Sequence, residues 1–349
     1  MADSSSFLRD IWYYALPSST LKRGKTLAKT LLGEPILFGR TLAGDAFAIR
    51  DICPHRGVPF SYGSFNGHEV ACAYHGWRFN SAGACTAIPS LTENQTLNLD
   101  PFRVRAYPLQ ESQGNIWIYM AKGSRAKTVI PHTAAPVVPG FEGSTYQAIQ
   151  VMHFPCYIAH AVVGLMDPAH VPYVHRAWWW RAEPDLSEEI KTFDPSPYGF
   201  TMRDHNLIRE TFFYRLLGKS PRVEIAFQLP GVRIERVKTA TNILSNLTTM
   251  TPLSETETEV TTLFYSTLPW ISLLKPLLLP FVRTFLNQDR DMVVKQQIGL
   301  KYDPALMLIK DSDTQARWYF QLKAEYAKAT MEKREFINPV KTQVLRWQS

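Results

Sequence analysis

Two short cysteine–histidine pairs constrain the fold of this chain more than any other feature of its sequence. One residue separates Cys53 from His55, two residues separate Cys72 from His75, and residues 56–71 connect the pairs. Each pair is short enough for a single tight turn to direct both side chains toward one centre. An isolated pair would be interpreted as a buried cysteine beside an incidental histidine, but metal ligands occur in groups. The sequence therefore predicts two loops that meet at a metal centre.

The composition of the two pairs indicates which metal they hold. A zinc site is the alternative, but zinc fingers usually place both cysteines in one pair and both histidines in the other. One cysteine and one histidine in each loop suit a Rieske [2Fe–2S] cluster, in which two thiolates bind one iron and two imidazoles bind the other. The two remaining cysteines, Cys85 and Cys156, are predicted to be ordinary buried residues.

A second group of chemically active residues lies at 167–175, with the sequence Asp-Pro-Ala-His-Val-Pro-Tyr-Val-His. A solvent-exposed loop is the alternative interpretation. The Asp-Pro dipeptide predicts a helix that begins there, on which Asp167 and His170 share a face. Pro172 is predicted to interrupt this helix, so that His175 comes round to the same metal. Two imidazoles and one carboxylate form the facial triad of an oxygen-activating Fe(II) site.

The carboxylate of this triad must come from elsewhere in the chain. A predicted helix offers two candidates, Asp289 and Asp291. Asp289 lies on the predicted inward face with Met292, Val293 and Gln296, whereas Asp291 falls among the solvent-side residues. Asp289 is therefore predicted to be the ligand, and an exposed acidic helix start is the alternative.

The two motifs together resemble a known family. Cys-Pro-His-Arg-Gly at 53–57 and Cys-Ala-Tyr-His-Gly-Trp-Arg-Phe at 72–79 resemble the Rieske domain of the non-haem iron ring-hydroxylating oxygenases. Residues 167–175 and the helix that carries Asp289 resemble the catalytic domain of the same family. The resemblance implies an α+β fold, with an N-terminal all-β Rieske domain and a C-terminal helix-grip domain, which is an antiparallel sheet around a helix.

The resemblance also implies roles for individual residues. It implies that Asp167 carries the electron across a subunit interface of a homotrimer, from His75 of a neighbouring subunit to His170. The implied ligands are Cys53, His55, Cys72 and His75 for the cluster, and His170, His175 and Asp289 for one mononuclear iron.

The chain is expected to contain two domains, because 349 residues exceed the usual size of one. The segment between Lys122 and Gly140 is rich in Pro, Gly, Ser and Lys, which is typical of a linker. We therefore expect the Rieske domain at 1–125 and the catalytic domain at 126–349. The predicted elements are short strands over residues 8–120, β-like alternation over residues 197–268, and amphipathic helices from about residue 281 to the end.

The sequence also constrains the partners of the protein. It contains neither a glycine-rich dinucleotide fingerprint after a strand nor a plant-type ferredoxin cysteine run, so NAD(P)H electrons are expected only through a separate reductase, with or without a ferredoxin. The net charge of +7 is spread along the chain, which argues against nucleic-acid binding and suits an acidic protein or an anionic membrane surface. Few cysteines and no signal-peptide pattern predict a cytoplasmic location.

Two segments bear on the substrate. Trp178, Trp179 and Trp180 follow the second histidine of the iron motif, where they either anchor a loop or form an aromatic wall for a flat apolar substrate. Residues 268–286 are apolar, but two basic residues and three prolines argue against a membrane-spanning helix. A peripheral membrane contact and a pocket lid are the interpretations left open for this segment.

These observations predict the terminal oxygenase component of a multicomponent system. It is expected to use O₂ and externally supplied electrons to hydroxylate, or oxidatively demethylate, an apolar, polycyclic or steroid-like substrate. An aromatic O- or N-demethylase and a ring-dihydroxylating dioxygenase are the alternatives among enzymes. A Rieske electron-transfer protein with a degenerate second domain is the non-enzyme alternative, and the intact second motif argues against it.

Overall fold

The computed structural model describes residues 7–123, 129–175, 187–206 and 219–349. The chain divides into two compact units, Met1–Val137 and Val138–Ser349. The domain boundary predicted at 125/126 falls outside the described residues. The α+β class predicted from the sequence is confirmed, because the described part of the first unit contains strands and short 3-10 turns, and the second combines a large sheet with helices.

The described part of the first unit contains ten strands in three small antiparallel sheets, with strand orders β1-β10-β9, β2-β3-β4 and β5-β6-β7-β8. Strands β3 and β4 form an antiparallel hairpin, in which Ile36 pairs with Arg50 at one end and Arg40 pairs with Ala46 at the other. The strands are β1 Ile11–Pro17, β2 Lys25–Leu31, β3 Glu34–Arg40, β4 Ala46–Arg50, β5 Ser64–Phe65, β6 Glu69–Ala71, β7 Arg78–Asn80, β8 Cys85–Ala87, β9 Leu109–Ser112 and β10 Asn115–Met120.

The predicted cluster loops are anchored in a hydrophobic core of this unit. Cys53 and Cys72 belong to the same cluster of buried residues as Phe60, Trp77 and Phe79. Full burial of a large apolar side chain such as Phe79 contributes about 1.5–3 kcal/mol. The residues next to the two cysteines are therefore held by packing, which fixes the positions of both loops.

The second unit is built on an eight-stranded antiparallel sheet with the order β11-β17-β16-β15-β14-β13-β12-β18. Its strands are β11 Ala148–Phe154, β12 Glu188–Ser196, β13 Gly199–Asn206, β14 Arg222–Gln228, β15 Val232–Lys238, β16 Ile243–Ser254, β17 Glu257–Ser266 and β18 Gln343–Gln348. The helices are α1 Ile158–Met166, α2 Val171–Val174, α3 Lys275–Leu300 and α4 Thr314–Glu332.

The C-terminal end of the chain corrects one prediction. The segment expected to be helical to its end instead finishes in β18, which pairs with β12 along its length. Leu345 of β18 is fully buried, whereas Val344 and Arg346 are more exposed, so the strand follows a period of two. A segment this short carries too few residues to separate the two periods, and only pairing with β12 decides it.

One face of the large sheet is covered by α4. The ring of Phe200 lies 5.1 Å from that of Trp318, and the ring of Phe227 lies 5.9 Å from that of Tyr319. Phe200 and Phe227 are directly paired on β13 and β14, so they project from the same face. We call this face the helix side of the sheet.

The apolar segment at 268–286 forms a 3-10 turn at Pro269–Ser272 and then the first turns of α3. Pro276 lies in the first turn of α3, where its missing N–H costs no helical hydrogen bond. Among the described residues, no helix is both long enough and apolar enough to cross a membrane.

Candidate metal centres

The two cysteine–histidine loops have the same backbone turn. The N–H of Cys53 donates to the carbonyl of Val58 at 2.9 Å, and the N–H of Gly57 donates back to the carbonyl of Cys53 at 2.9 Å. In the second loop Cys72 donates to Trp77 and Gly76 to Cys72, at 2.9 and 3.0 Å. Gly57 and Gly76 adopt φ values of +78° and +68°, which glycine reaches without the steric penalty of a Cβ atom.

These equivalent turns bring the four predicted cluster ligands together in matched pairs. Cys53 and Cys72 are both buried and unbridged by a disulfide, and burial, together with the neighbouring Cys72 thiol, raises the pKa of Cys53 to about 11. The rings of His55 and His75 lie 4.6 Å apart on the more exposed side of the loops. A pair of adjacent thiols and a pair of adjacent imidazoles is the donor set that a [2Fe–2S] cluster with unlike irons requires. The residues present therefore fit this group.

Trp77 and Tyr74 fix the two imidazoles from the side. The Trp77 ring stacks on His55 at 4.6 Å with an interplanar angle of 6°, and the Tyr74 ring lies 3.9 Å from His75. Tyr74 is itself 57% exposed. The imidazole end of the site is thus bordered by exposed aromatic surface, whereas the thiol end is enclosed by the core.

The backbone around the second motif corrects the predicted helix start. Asp167 is the C-cap of α1, with φ −69° and ψ 118°, and does not begin a helix. The residue before a proline is sterically driven out of the α region, so Pro168 ends α1 at Met166. Pro172 likewise lies in the first turn of α2 and does not interrupt a longer helix.

The second centre is nonetheless compact. The Nε2 atom of His170 lies 3.2 Å from Nε2 of His175, and each of these atoms lies 3.3 Å from Oδ1 of Asp289. These three atoms form a nearly equilateral triangle, and metal–ligand bonds of about 2.1 Å to a single ion reach all three corners. His175 and Asp289 are buried, and His170 is partly buried. The donor set therefore fits one divalent metal ion.

The structure separates the two carboxylate candidates on α3. Asp289 is buried in the triangle, whereas the side chain of Asp291 is 65% exposed. The predicted inward face is wrong in part, because Met292 and Gln296 are exposed while Val293 is buried. The face predicted from the sequence pattern is therefore wider than the face of α3 that is buried in the structure.

The charges in this centre favour a cation. Burial alone would raise the pKa of Asp289, but hydrogen bonds from His170 and His175 lower it below its usual value. Burial would lower the pKa of His170, but the hydrogen bond and charge of Asp289, with the charge of Asp167, raise it. Burial raises the pKa of Asp167. An ionised carboxylate held between two imidazoles is suited to a divalent metal ion.

Two further residues of α3 support the centre, and the sequence analysis did not assign them. Gln288 Oε1 lies 3.0 Å from Nδ1 of His175, so once a metal takes the place of the proton that Nε2 shares with Asp289, Gln288 would accept the remaining proton on Nδ1 and Nε2 would offer its lone pair to the metal. The Phe285 ring stacks on His175 at 3.5 Å with an interplanar angle of 11°. Both lie within one turn of Asp289, and this proximity was the signal available in the sequence.

Asp167 lies beside the triangle and not in it. Its Oδ1 accepts the backbone N–H of Ala169 at 2.8 Å, and its Oδ2 lies 3.7 Å from Nδ1 of His170, beyond hydrogen-bond distance. Within the described part of the chain, this buried Nδ1 has no hydrogen-bond partner. The predicted tryptophan wall, Trp178, Trp179 and Trp180, lies outside the described residues.

Comparison with known proteins identifies both halves of the chain. Residues 11–108 match the Rieske [2Fe-2S] domain, and residues 164–331 match the vanillate O-demethylase oxygenase C-terminal domain. This chain belongs to the Rieske oxygenase family. The predicted family is therefore confirmed, and the two matches contain the two candidate centres.

Several relatives of this Rieske oxygenase have names that state an enzymatic activity. This chain is 35% identical to chlorophyllide a oxygenase of Chlamydomonas reinhardtii over 51% of this chain and 26% of the relative. It is 33% identical to 4beta-methylsterol monooxygenase of Methylococcus capsulatus, over 38% of this chain and 35% of the relative. It is 34% identical to the oxygenase component of dicamba O-demethylase of Stenotrophomonas maltophilia, over 49% of each chain. The chain thus matches about half or less of the length of these relatives.

The fold is shared over nearly the whole chain. The crystal structure of dicamba monooxygenase bound to dicamba aligns with a TM-score of 0.72 at 21% identity, covering 94% of this chain and 98% of that one. At this identity the alignment establishes the common fold.

Proposed function

We propose that this protein is the terminal oxygenase component of a multicomponent Rieske system and hydroxylates, or oxidatively demethylates, an apolar substrate. The observation that carries the proposal is the triangle of His170, His175 and Asp289, whose three ligand atoms lie 3.2–3.3 Å apart. A second metal centre of this kind, in addition to the Rieske site, is needed for oxygenation and has no use in an electron carrier. It therefore supports the enzyme over the electron-transfer alternative.

The proposed cofactors are one [2Fe–2S] cluster at Cys53, His55, Cys72 and His75 and one Fe(II) at the triangle. When bound, the cluster supplies single electrons and the mononuclear iron supplies O₂ activation. The protein's own contribution is orientation and charge. Gln288 and Phe285 hold the ring of His175, and buried Asp289 supplies the negative charge.

We assign the electron bridge to Asp167. A carboxylate accepts hydrogen bonds from the outer N–H groups of two metal-bound imidazoles and so orients both rings. One of these donors is His170 of the same chain, whose Nδ1 is buried and lies 3.7 Å from Asp167 Oδ2. The other is His75 of a neighbouring subunit in a homotrimer. The side chain of Asp167 is 32% exposed, which leaves it accessible to that donor.

The electrons are proposed to come from NAD(P)H through a separate reductase, with or without a ferredoxin. Demethylation is supported as a second activity by the vanillate O-demethylase domain match and by the dicamba O-demethylase relative. Hydroxylation of a larger apolar substrate is supported by the 4beta-methylsterol monooxygenase relative. Both use the same centre, and the shape of the pocket decides between them.

The test is reconstitution of the purified holoprotein with a reductase, NADH and O₂. Iron analysis is expected to give the cluster iron plus one mononuclear iron per chain, and product analysis is expected to show oxygen incorporated into an apolar candidate such as a steroid or a methoxylated arene. Cluster iron alone, with no product from any candidate, would support the electron-transfer alternative.

A further inference from the structure

The segment that connects β17 to α3 and the first turns of α3 present apolar side chains to solvent. Leu273 is 81% exposed, Leu277 is 61% exposed and Trp270 is 37% exposed. Pro276 and Pro280 are exposed as well. Single apolar residues are ordinary at a protein surface, but a group of neighbours marks an interaction site. We call Trp270, Leu273, Pro276, Leu277 and Pro280 the apolar surface.

Other residues of the same segment supply its contact with the protein interior. Leu268 packs against the buried residues Val223 and Val237 of the large sheet. On α3, Leu286 follows Leu277 by nine residues, or about two and a half helical turns, so the two side chains lie on opposite faces. Leu286 is the buried one of the two. The apolar surface therefore remains available to a partner.

The charge carried by this segment is positive. From residue 260 to residue 288 the charged residues are Lys275 and Arg283. Lys275 is the first residue of α3 and lies two residues from both Leu273 and Leu277. Arg283 is exposed on the following turns of the same helix. Long basic side chains lay their apolar stems along such a surface and extend their charged ends beyond it.

The sheet register adds cations beside the segment. Arg222 pairs with Lys238 where β14 begins and β15 ends. Lys238 pairs in turn with Ile243, whose carbonyl accepts the N–H of Thr267 at 3.0 Å. Thr267 directly precedes the segment. Asp204 compensates Arg222 at 2.7 Å, and Lys238 adds to the positive charge of Lys275 and Arg283.

The size and composition of this surface suit a lipid membrane better than a protein partner. A stable protein interface uses about 20–30 residues from each side, far more than the apolar surface contains. A membrane needs few inserted side chains, because attraction between cations and anionic lipids adds to apolar burial. Tryptophan is enriched where lipid meets water. An anionic membrane therefore matches the apolar residues and the cations together.

We propose that the apolar surface and its cations bind peripherally to an anionic lipid membrane. The inference goes beyond the proposed function, because membrane binding requires neither turnover nor a reductase. The surface also lies on the helix that carries Asp289, which is 12 residues beyond Leu277 and so about 18 Å further along the axis. Since apolar molecules partition into lipid, binding here brings the metal-binding helix to where an apolar substrate is concentrated.

The test is cosedimentation of the holoprotein with vesicles of two compositions: phosphatidylcholine alone, and an equal mixture of phosphatidylcholine and phosphatidylglycerol. No reductant is added, so no turnover takes place. We expect the wild-type protein to bind the anionic vesicles at least about tenfold more tightly than the neutral ones, because each cation near the surface adds to the attraction. High salt is expected to reduce this difference by screening.

Two double variants separate the apolar contribution from the charged one. Leu273→Asp combined with Leu277→Asp is expected to weaken binding to anionic vesicles at least about tenfold, because the inserted side chains are lost. Lys275→Glu combined with Arg283→Glu is expected to abolish the preference for anionic over neutral vesicles. Far-UV circular dichroism checks that each variant is folded.

A matched control introduces the same two negative charges elsewhere. Leu306 and Met307 are 52% and 87% exposed and lie beyond the C-terminal end of α3. Because α3 has 26 residues, its two ends lie about 39 Å apart. Leu306→Asp combined with Met307→Asp is expected to bind vesicles as the wild-type protein does.

Three results would each overturn the proposal: no binding of the wild-type protein to either kind of vesicle, unchanged binding in Leu273→Asp with Leu277→Asp, or an equal loss in the control. A lower molar mass of Leu273→Asp with Leu277→Asp in the absence of vesicles would overturn it too, because the surface would then be an interface between copies of the chain. Failure of the proposed function has a different signature, since a protein without oxygenase activity can still bind vesicles. An active oxygenase that binds no vesicles would contradict the membrane surface alone.

Discussion

The hydrogen bond between Gln288 and His175 allows a quantitative prediction of metal affinity at the mononuclear site. In Gln288→Leu the acceptor 3.0 Å from His175 Nδ1 is lost, and the leucine side chain offers no replacement. His175 is 3% exposed, so water does not readily take the place of the amide. The imidazole N–H is then buried without a partner, and the ring is free to turn its Nε2 atom away from the metal.

The expected magnitude follows from two independent estimates. A buried donor left without its acceptor costs about 1–3 kcal/mol, which corresponds to about 5- to 150-fold in a binding constant. Loss of a hydrogen bond to a metal-bound histidine typically lowers metal affinity about 10- to 100-fold. We therefore expect Gln288→Leu to bind Fe(II) about 10- to 100-fold more weakly than wild type, with the Rieske spectrum unchanged.

The assay is an anaerobic Fe(II) titration against a competing chelator, with the cluster followed by its visible absorbance. Gln288→Glu keeps an acceptor at the same position and is expected to retain the affinity. Gln296→Leu, at an exposed position of the same helix, is the control for a change of glutamine to leucine. Wild-type affinity in Gln288→Leu, or an equal loss in Gln296→Leu, would refute the reasoning.

The remaining predictions concern the other ligands and the pH dependence of stability. Asp289→Ala is expected to lose mononuclear iron and turnover but keep the Rieske spectrum, whereas Asp291→Ala keeps both; iron analysis showing the reverse would make Asp291 the ligand. Asp167→Asn is expected to keep both metal centres and lose nearly all turnover, because the amide puts a hydrogen-bond donor where an acceptor is needed. In rapid-mixing kinetics the reduced cluster of this variant should persist in the presence of substrate and O₂. Reoxidation of the cluster at the wild-type rate would exclude the electron bridge. Burial would raise the pKa of Glu34, but the hydrogen bond from Tyr107 and two arginine charges lower it in the folded protein. Ionised Glu34 therefore stabilises the folded state fully above the unfolded-state pKa of about 4.3, and this stabilisation is lost as the pH falls through the pKa of Glu34 in the folded state. Urea unfolding of wild type and Glu34→Gln should therefore differ most at neutral pH and converge in acid, and a difference that grows below pH ~4 would contradict this.

The cluster loops could be predicted from the sequence in detail, for a physical reason. Each pair of ligands is separated by one or two residues, so the chain itself holds them close whatever the rest of the fold does. Their residue types then select the metal chemistry. The same holds for His170 and His175, which a single short helix brings within 3.2 Å of each other.

Local structure around the second motif was predictable in principle but was predicted wrongly. The preference of proline for the first turn of a helix suggested a start at Asp167, whereas the steric restriction on the residue before proline ends α1 there. Both effects belong to the same dipeptide, and the apolar run Ile158–Met166 decides between them by forming a helix that packs against the sheet.

Tertiary structure alone determines which residues distant in the sequence come into contact. Asp289 is more than a hundred residues from His170 in the sequence, and only the packing of α3 against β11 brings its carboxylate within 3.3 Å of both imidazoles. The face from which each side chain of the large sheet projects likewise depends on the register of β15, β16 and β17, since shifting one strand by a single residue would move its side chains to the other face. Ligand identity is a property of local spacing, which the sequence contains, whereas contacts between distant segments depend on pairing and packing free energies that are summed over the whole fold.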